Sequence, residues 1–196
     1  MKNTSFQLLI SVCGLLLAGC GTPTTYVDPA GSRLVVNAGQ INIQDFQQAA
    51  DAMVNSLIDQ VINPGRLRSA SPPEPALLAI SRIINNTSQQ LDTDLLVKKI
   101  RIALMRTGKV QTSTTINYGG PEDPLAADLQ RNSGAPASRN PDYTLSGKII
   151  EDRSGVGGLK QLACVFQLSL SSPDGIAVWE EEKTIIKQGS RSTVGF

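Results

Sequence analysis

The sequence predicts an α/β (α+β) domain preceded by an export signal. Two segments repeat apolar residues at helical spacing, and a short apolar strand lies between them. The last third alternates apolar and polar residues through three extended segments, which turns containing glycine and proline separate. Helices interleaved with a strand and followed by an antiparallel meander predict a sheet with helices packed on its apolar face.

The amino terminus has the three parts of a secretory signal. Lys2 gives a positive start, an apolar run of roughly a dozen residues covers 6–17, and small residues precede Cys20. This run is shorter than the roughly 20 residues that span a bilayer, so cleavage is expected rather than a permanent helix. We therefore predict a signal peptide over residues 1–19.

Cys20 is the predicted site of lipid attachment. The segment Leu17-Ala18-Gly19-Cys20 resembles the lipobox of bacterial lipoproteins, in which the cysteine is acylated and becomes the first mature residue. An ordinary signal whose cleavage leaves a free cysteine is the alternative. Two or more acyl chains on one residue hold a protein firmly on a membrane. Gly21 stands where an aspartate would resemble the inner-membrane retention signal, so the resemblance favours the periplasmic face of the outer membrane.

Composition argues against several classes of function. The formal charge of +1 becomes neutral when Lys2 leaves with the signal, so no nucleic-acid partner is expected. The sequence has no histidine, which removes the usual general base and the usual zinc ligand. We predict no catalytic residue, metal, cofactor or small-molecule substrate. Cys164 is the only free thiol left in a lipidated mature chain, so no intramolecular disulfide can form.

The mature chain is predicted to begin with a tether and to continue as one domain. Residues 20–41 hold the lipidated cysteine and a flexible tether rich in Thr, Pro, Gly and Ser. As a coil, about 20 residues average roughly 25 Å from end to end. A single globular α/β domain then occupies 42–196. It opens with an amphipathic helix that Asn42 and Asp45 can cap and that Pro64-Gly65 ends.

The middle of the sequence predicts an alternation of strand and helix. Residues 77–84 form a short apolar run in which Arg82 is the one charged exception, and this favours a central strand buried on both faces. A helix follows from Asp92 or Thr93 to about Thr107, and a second strand covers 109–116. The basic residues of this helix are expected to form a solvated face rather than a partner site. They are Lys98, Lys99, Arg101 and Arg106. Residues 117–140 form a long excursion with a short helix over 123–132.

The last third predicts an antiparallel meander over 142–152, 160–171 and 176–187. One face of this meander is apolar and is expected to meet the helices, and Cys164 belongs to it as a small buried hydrophobe. The opposite face is polar and is the candidate partner face, although ordinary solvent exposure explains it equally well. Its candidate residues are Thr144, Ser146, Lys148 and Gln167.

Several segments, taken in order, resemble one known family. They are the helix over 45–57, Ile84-Asn85-Asn86-Thr87, the segments 100–104 and 107–110, Pro141-Asp142-Tyr143 with the strand to Ile149, and Val178-Trp179-Glu180 before Lys187. The mature chain is similar to the LpoB-like family of outer-membrane lipoproteins that activate penicillin-binding proteins. The resemblance implies a mixed, mainly antiparallel sheet with helices packed on it, similar to the amino-terminal domain of TolB. It also implies stimulation of a peptidoglycan synthase by direct contact, without a cofactor.

Two other functions are compatible with the sequence. The short tether and the same type of domain also fit a CsgG-like outer-membrane assembly or secretion lipoprotein. A cell-wall-modifying enzyme would need paired carboxylates, for example Glu151 with Asp152, or those of 180–182. Adjacent acids on one strand point to opposite faces, which disfavours that pairing.

Overall fold

The computed structural model describes residues 26, 28, 37–116, 121–134 and 139–190. The predicted signal peptide and Cys20 lie outside the described residues. In the amino-terminal unit Met1–Val35, only Tyr26 and Asp28 are described, and both are exposed. The elements below all belong to the second unit, Val36–Phe196.

Helix α1 (Ile43–Leu57) begins at a capping box. The Asn42 side chain accepts a hydrogen bond from the Asp45 backbone N–H at 3.1 Å, and the Asp45 carboxylate accepts one from the Asn42 backbone N–H at 2.8 Å. These two bonds satisfy N–H groups that have no partner inside the helix. A π-helical turn (Ile58–Ile62) extends the helix, so the predicted start and the predicted end near residue 64 are both confirmed.

Five strands form one sheet in the order β2-β1-β3-β4-β5. They are β1 (Ala76–Asn86), β2 (Val110–Thr112), β3 (Tyr143–Val156), β4 (Leu159–Ser171) and β5 (Ala177–Ser190). Strand β1 runs parallel to both of its neighbours, whereas β3, β4 and β5 form the predicted antiparallel meander. The predicted α/β fold with a mixed, mainly antiparallel sheet is confirmed.

Helices α1 and α2 (Thr93–Arg106) share one hydrophobic core with the apolar face of the sheet. Phe46 of α1 packs edge-on against Phe166 of β4, with ring centroids 5.7 Å apart. Cys164 and Trp179 are also buried in this core. Burial raises the pKa of the Cys164 thiol to about 11, so the thiol stays protonated near neutral pH. The prediction that Cys164 is a small buried hydrophobe is confirmed.

Two local predictions were wrong in part. Strand β2 stops at Thr112 because the Ser113 hydroxyl accepts hydrogen bonds from the N–H groups of Thr115 and Ile116, which turns the chain. Strand β1 is buried on both faces only near its start, since Ile84 is 48% exposed beyond a register shift. The predicted short helix is confirmed as α3 (Pro124–Asn132), and all of its residues lie at the surface.

Gly147 lies where strand β3 passes closest to its neighbours. A Cβ atom at this position would come within 2.7 Å of both the Gln167 carbonyl oxygen and the Leu168 Cδ2 atom. Because the carbonyl belongs to the paired strand, it can move only by disturbing the sheet. We expect Gly147→Ala to lower the free energy of unfolding by about 1–3 kcal/mol in urea titrations. Gly39→Ala is the control, since the nearest atom there is 3.4 Å away, and equal midpoints for both variants would contradict the expectation.

Asp142 connects the start of β3 to the proline-rich loop before β1. Its carboxylate accepts hydrogen bonds from the backbone N–H groups of Ala70 at 2.9 Å and Leu77 at 2.8 Å. The Arg139 guanidinium donates a third bond at 3.1 Å. The neighbouring Tyr143 hydroxyl accepts from the Arg68 N–H at 3.1 Å. The segment Pro141-Asp142-Tyr143, which contributes to the family resemblance, therefore holds the loop in place.

We expect Asp142→Asn to destabilise the domain by about 2–4 kcal/mol, because an amide nitrogen would face a donor and the charge that pairs with Arg139 would be lost. Urea denaturation measures this change, and limited proteolysis should show faster cleavage within residues 66–75. The matched control is Asp51→Asn, which alters an exposed carboxylate on α1. An unchanged midpoint for Asp142→Asn would show that the carboxylate does not hold the loop.

Candidate partner-binding face

The candidate partner residues lie on the side of the sheet opposite the helices, which we call the open face. On β3 it carries Thr144, Ser146 and Lys148, which alternate with the buried Leu145 and Ile149. Lys148 is directly opposite Gln167 of β4, and Ser146 is opposite Ser169. All four predicted residues are partly buried. No helix among the described residues packs on this face, since the buried residues of α1 and α2 belong to the core on the other side.

Part of the open face forms a shallow groove of about 630 Å³. Three of the predicted residues line it: Ser146, Lys148 and Gln167. Thr144 does not, because it lines a separate depression beside Tyr143 and Ser172 at the end of the sheet. Strand β1 contributes groove residues that the sequence analysis missed: Ser81, Arg82, Ile84 and Asn85.

The missed β1 residues reach the groove through an irregularity in the strand. The pairing of β1 with β3 shifts register between Ile80 and Ile83, which leaves Arg82 exposed while Ile83 stays in the core. A mostly apolar strand in which only Ser81 and Arg82 are polar before Asn85 does not reveal such a shift. Arg82 itself was the only available signal, because a charge in a buried strand needs either a partner or an outlet to solvent.

Charge is divided across the open face. Arg82 and Lys148 lie at the β1–β3 side, and neither side chain makes a hydrogen bond or ion pair within the described part of the chain. Two acids lie at the β5 edge, where Glu182 accepts a hydrogen bond from Gln167 at 2.8 Å and Glu180 accepts one from Ser169 at 2.9 Å. The groove therefore presents two cations that have no partner among the described residues. The polar side chains beside them, Gln167 and Ser169, already donate hydrogen bonds to the acids of β5.

Glu151, one of the carboxylates considered for catalysis, is engaged in a hydrogen-bond network. Glu151 is held by hydrogen bonds from Arg153, Ser88 and Gln89, and the bond from Arg153 is the main reason why its pKa falls to about 2. A carboxyl group with so low a pKa stays ionised and cannot act as a general acid near neutral pH. Within the described residues no group of three or more metal-ligating side chains is placed to hold an ion.

The basic residues of α2 are not all a solvated face, which corrects the sequence analysis. Arg101 is only 4% exposed, and its guanidinium pairs with Glu122, which also pairs with Lys98 at 2.6 Å. Burial lowers the pKa of Arg101. The chain after β2 folds back over the helix, with the Glu122 N–H donating to the Thr114 carbonyl at 2.9 Å, and this segment covers the arginine.

No described helix is both long enough and apolar enough to traverse a bilayer. A family model, described as peptidoglycan-synthase activator LpoB, matches residues 45–185. The curated proteins contain no match. The predicted family resemblance is thus tested directly by a match that covers most of the sequence.

Solved structures that this chain matches include two LpoB domains. The LpoB C-terminal domain from Escherichia coli is 18% identical with a TM-score of 0.42, and the alignment covers 72% of this chain and 98% of that one. The corresponding domain from Salmonella enterica is 19% identical with a TM-score of 0.40 and the same coverage. Lipoprotein GNA1162 from Neisseria meningitidis is 13% identical with a TM-score of 0.35, covering 60% of this chain and 88% of that one.

The likeness to the amino-terminal domain of TolB stays a prediction. Family membership rests on the sequence match over residues 45–185, which spans helix α1, the whole sheet up to the middle of β5 and the groove on its open face. That match confirms the resemblance that the ordered segments predict, and the chain belongs to the family of the peptidoglycan-synthase activator LpoB.

Proposed function

We propose that this chain is an outer-membrane lipoprotein that activates a penicillin-binding protein by direct contact. In this proposal residues 1–19 are removed as a signal peptide, and Cys20 carries the lipid on the periplasmic face of the outer membrane. Residues 20–41 form the tether, and 42–196 form the activating domain. The observation that carries the proposal is the family match over 45–185.

In this proposal the open face is the surface that contacts the penicillin-binding protein. It places Arg82 and Lys148, two cations that have no partner among the described residues, beside polar side chains that can exchange hydrogen bonds with another protein. Charges at the rim of an interface steer association and fix orientation. The partner surface that fits the groove is therefore acidic and polar, and it meets the strands β1, β3 and β4.

Activation by contact requires that the lipoprotein bind the active state of the synthase more tightly than the inactive state. A coupling free energy of about 1–3 kcal/mol changes the ratio of active to inactive synthase by a factor of about 5–150. The chain needs no catalytic group for this role. The rate of the synthase, and not turnover by the lipoprotein, is the quantity to measure.

The test uses the mature chain made soluble by Cys20→Ser, mixed with purified peptidoglycan synthases from the same organism. We expect faster glycan-strand synthesis by at least one synthase, with saturation as the lipoprotein concentration rises. An unchanged rate for every synthase would overturn the proposed function. The anchor is tested separately by palmitate labelling in cells, which should mark the wild type and leave the Cys20→Ser chain unlabelled.

A further inference from the structure

The hairpin that joins β3 to β4 exposes two apolar side chains at its tip. Val156 and Leu159 are directly opposite each other and are 79% and 41% exposed. Gly157 and Gly158 form the turn between them, with φ angles of +55° and +86° that favour glycine. Both apolar side chains lie on the same side of the sheet as the open face, at the end of the strands furthest from the groove.

The segment that leads back to Cys20 is fastened at this same end of the domain. Arg153, three residues before Val156, donates a hydrogen bond to the Gly39 carbonyl at 3.0 Å. Ala38 lies so close to Gly189 of β5 that a Cβ atom on Gly189 would be 2.7 Å from it, and Gly189 is opposite Lys160. The polypeptide therefore reaches the domain beside the hairpin tip.

The length of the preceding segment keeps this end near its anchor. Residues 20–36 separate the predicted lipidated cysteine from the described segment that begins at Asn37. The sequence predicts a tether there, and a coil of that length averages roughly 25 Å from end to end. A tether of this reach that attaches beside the tip brings the tip, rather than the opposite end of the sheet, towards the membrane.

The charge of the tip fits a phospholipid surface. Residues 154–160 contain one cation, Lys160, and no acid. Along β3, the first exposed acid before the tip is Asp152, which is four residues or ~13 Å from Val156. Lysine beside exposed apolar side chains is the combination that interfacial membrane contacts use, with the apolar groups among the acyl chains and the cation near phosphate.

We propose that the tip of the β3–β4 hairpin rests in the headgroup layer of the phospholipid bilayer that carries the anchor. Val156 and Leu159 enter the interface, and Lys160 lies near lipid phosphates. This contact rests on the lipid anchor of the proposed function. It fixes the orientation of the domain, because Lys148 is eight residues from Val156 on β3, so the groove is held about 26 Å from the tip.

The experiment measures how deeply the tip sits in a membrane. The lipidated chain carrying Val156→Cys is labelled with an environment-sensitive fluorophore and reconstituted into vesicles of phosphatidylethanolamine with a minority of phosphatidylglycerol. Cys164 does not compete for the label because it is fully buried. The matched control is Ile176→Cys, another exposed apolar position, in the β4–β5 turn at the opposite end of the sheet.

We expect the emission at position 156 to shift to shorter wavelength in vesicles and its quenching by aqueous iodide to fall roughly threefold or more. The label at position 176 should keep its emission and its quenching. Equal quenching at the two positions would overturn the proposal. A second variant carries Val156→Asp and Leu159→Asp, with the label at Ser154→Cys. In vesicles its emission should equal the aqueous value. If the label at position 154 still showed a shift to shorter wavelength in this variant, the proposal would be overturned as well.

Failure of this contact is distinguishable from failure of the proposed function. Stimulation of a synthase is measured with the soluble Cys20→Ser chain, which has no membrane to contact. A chain that stimulates the synthase but shows an exposed tip in vesicles would retain the proposed function and lose the membrane contact. A chain with a buried tip and no effect on any synthase would give the reverse result.

Discussion

Lys187→Met is expected to lower the free energy of unfolding by about 3–5 kcal/mol, because it leaves a buried carboxylate without its cation. The Lys187 Nζ atom lies 2.6 Å from Asp45 Oδ2, and the two side chains are 9% and 6% exposed. The same ammonium group donates to the Gln40 carbonyl. The pair therefore joins the amino-terminal end of α1 to the carboxyl-terminal end of β5.

The double variant separates the ion pair from the other roles of these residues. Asp45 also accepts the Asn42 N–H in the capping box, and asparagine can keep that bond while losing the charge. We expect Asp45→Asn with Lys187→Met to be less destabilised than the sum of the two single variants, since neither charge is then left alone. Urea denaturation of all four proteins gives the coupling energy.

The control is Lys183→Met, which removes an exposed lysine from the same strand. It should change stability by no more than about 0.5 kcal/mol. If Lys187→Met were as mild as this control, or if the double variant were fully additive, the buried pair would not be what fastens α1 to β5.

Elements that depend on neighbouring residues could be predicted from the sequence. The start of α1 follows from Asn42 and Asp45, three positions apart, and the start of α2 follows from Asp92, whose side chain accepts from the Asp94 N–H. The faces of β3 and β4 follow from strict alternation, because side chains on a strand point to opposite sides in turn. These signals need no knowledge of the distant sequence.

Features set by distant contacts could not be predicted in this way. The helical pattern places Arg101 among residues suited to a solvated face, and only the return of the chain over α2 brings Glu122 to it. The ion pair between Asp45 and Lys187 joins residues far apart in sequence, and no local spacing reveals it. Strand β2 ends early because one hydroxyl, that of Ser113, turns the chain.

The candidate site was predicted where it depends on alternation and missed where it depends on register. Ser146, Lys148 and Gln167 lie together as expected, because they share one face of adjacent antiparallel strands. Thr144 belongs to the same face but lies outside the groove. The contribution of β1, including Arg82, requires the register shift that the apolar sequence of this strand does not show.

Reversing the charge at Lys148 should have the largest effect on activation of the synthase. Lys148 is partly buried at the centre of the groove, between Ile84 of β1 and Gln167 of β4. If the partner surface is acidic, Lys148→Glu replaces an attraction with a repulsion across the interface. We expect the concentration for half-maximal stimulation to rise by about tenfold or more, which corresponds to at least ~1.4 kcal/mol of binding free energy.

The assay is glycan-strand synthesis by the responsive synthase, titrated with the soluble Cys20→Ser chain with and without Lys148→Glu. Lys183→Glu is the matched control, because it makes the same charge change on an exposed residue that faces the other side of the sheet, opposite Phe166.

Thermal unfolding should be similar for all three proteins, since Lys148 has no partner within the described chain. Raising the salt concentration should weaken the response of the parent chain more than that of Lys148→Glu, because ions screen an attraction that the variant lacks. Equal stimulation by Lys148→Glu and Lys183→Glu would show that the synthase binds elsewhere than the groove.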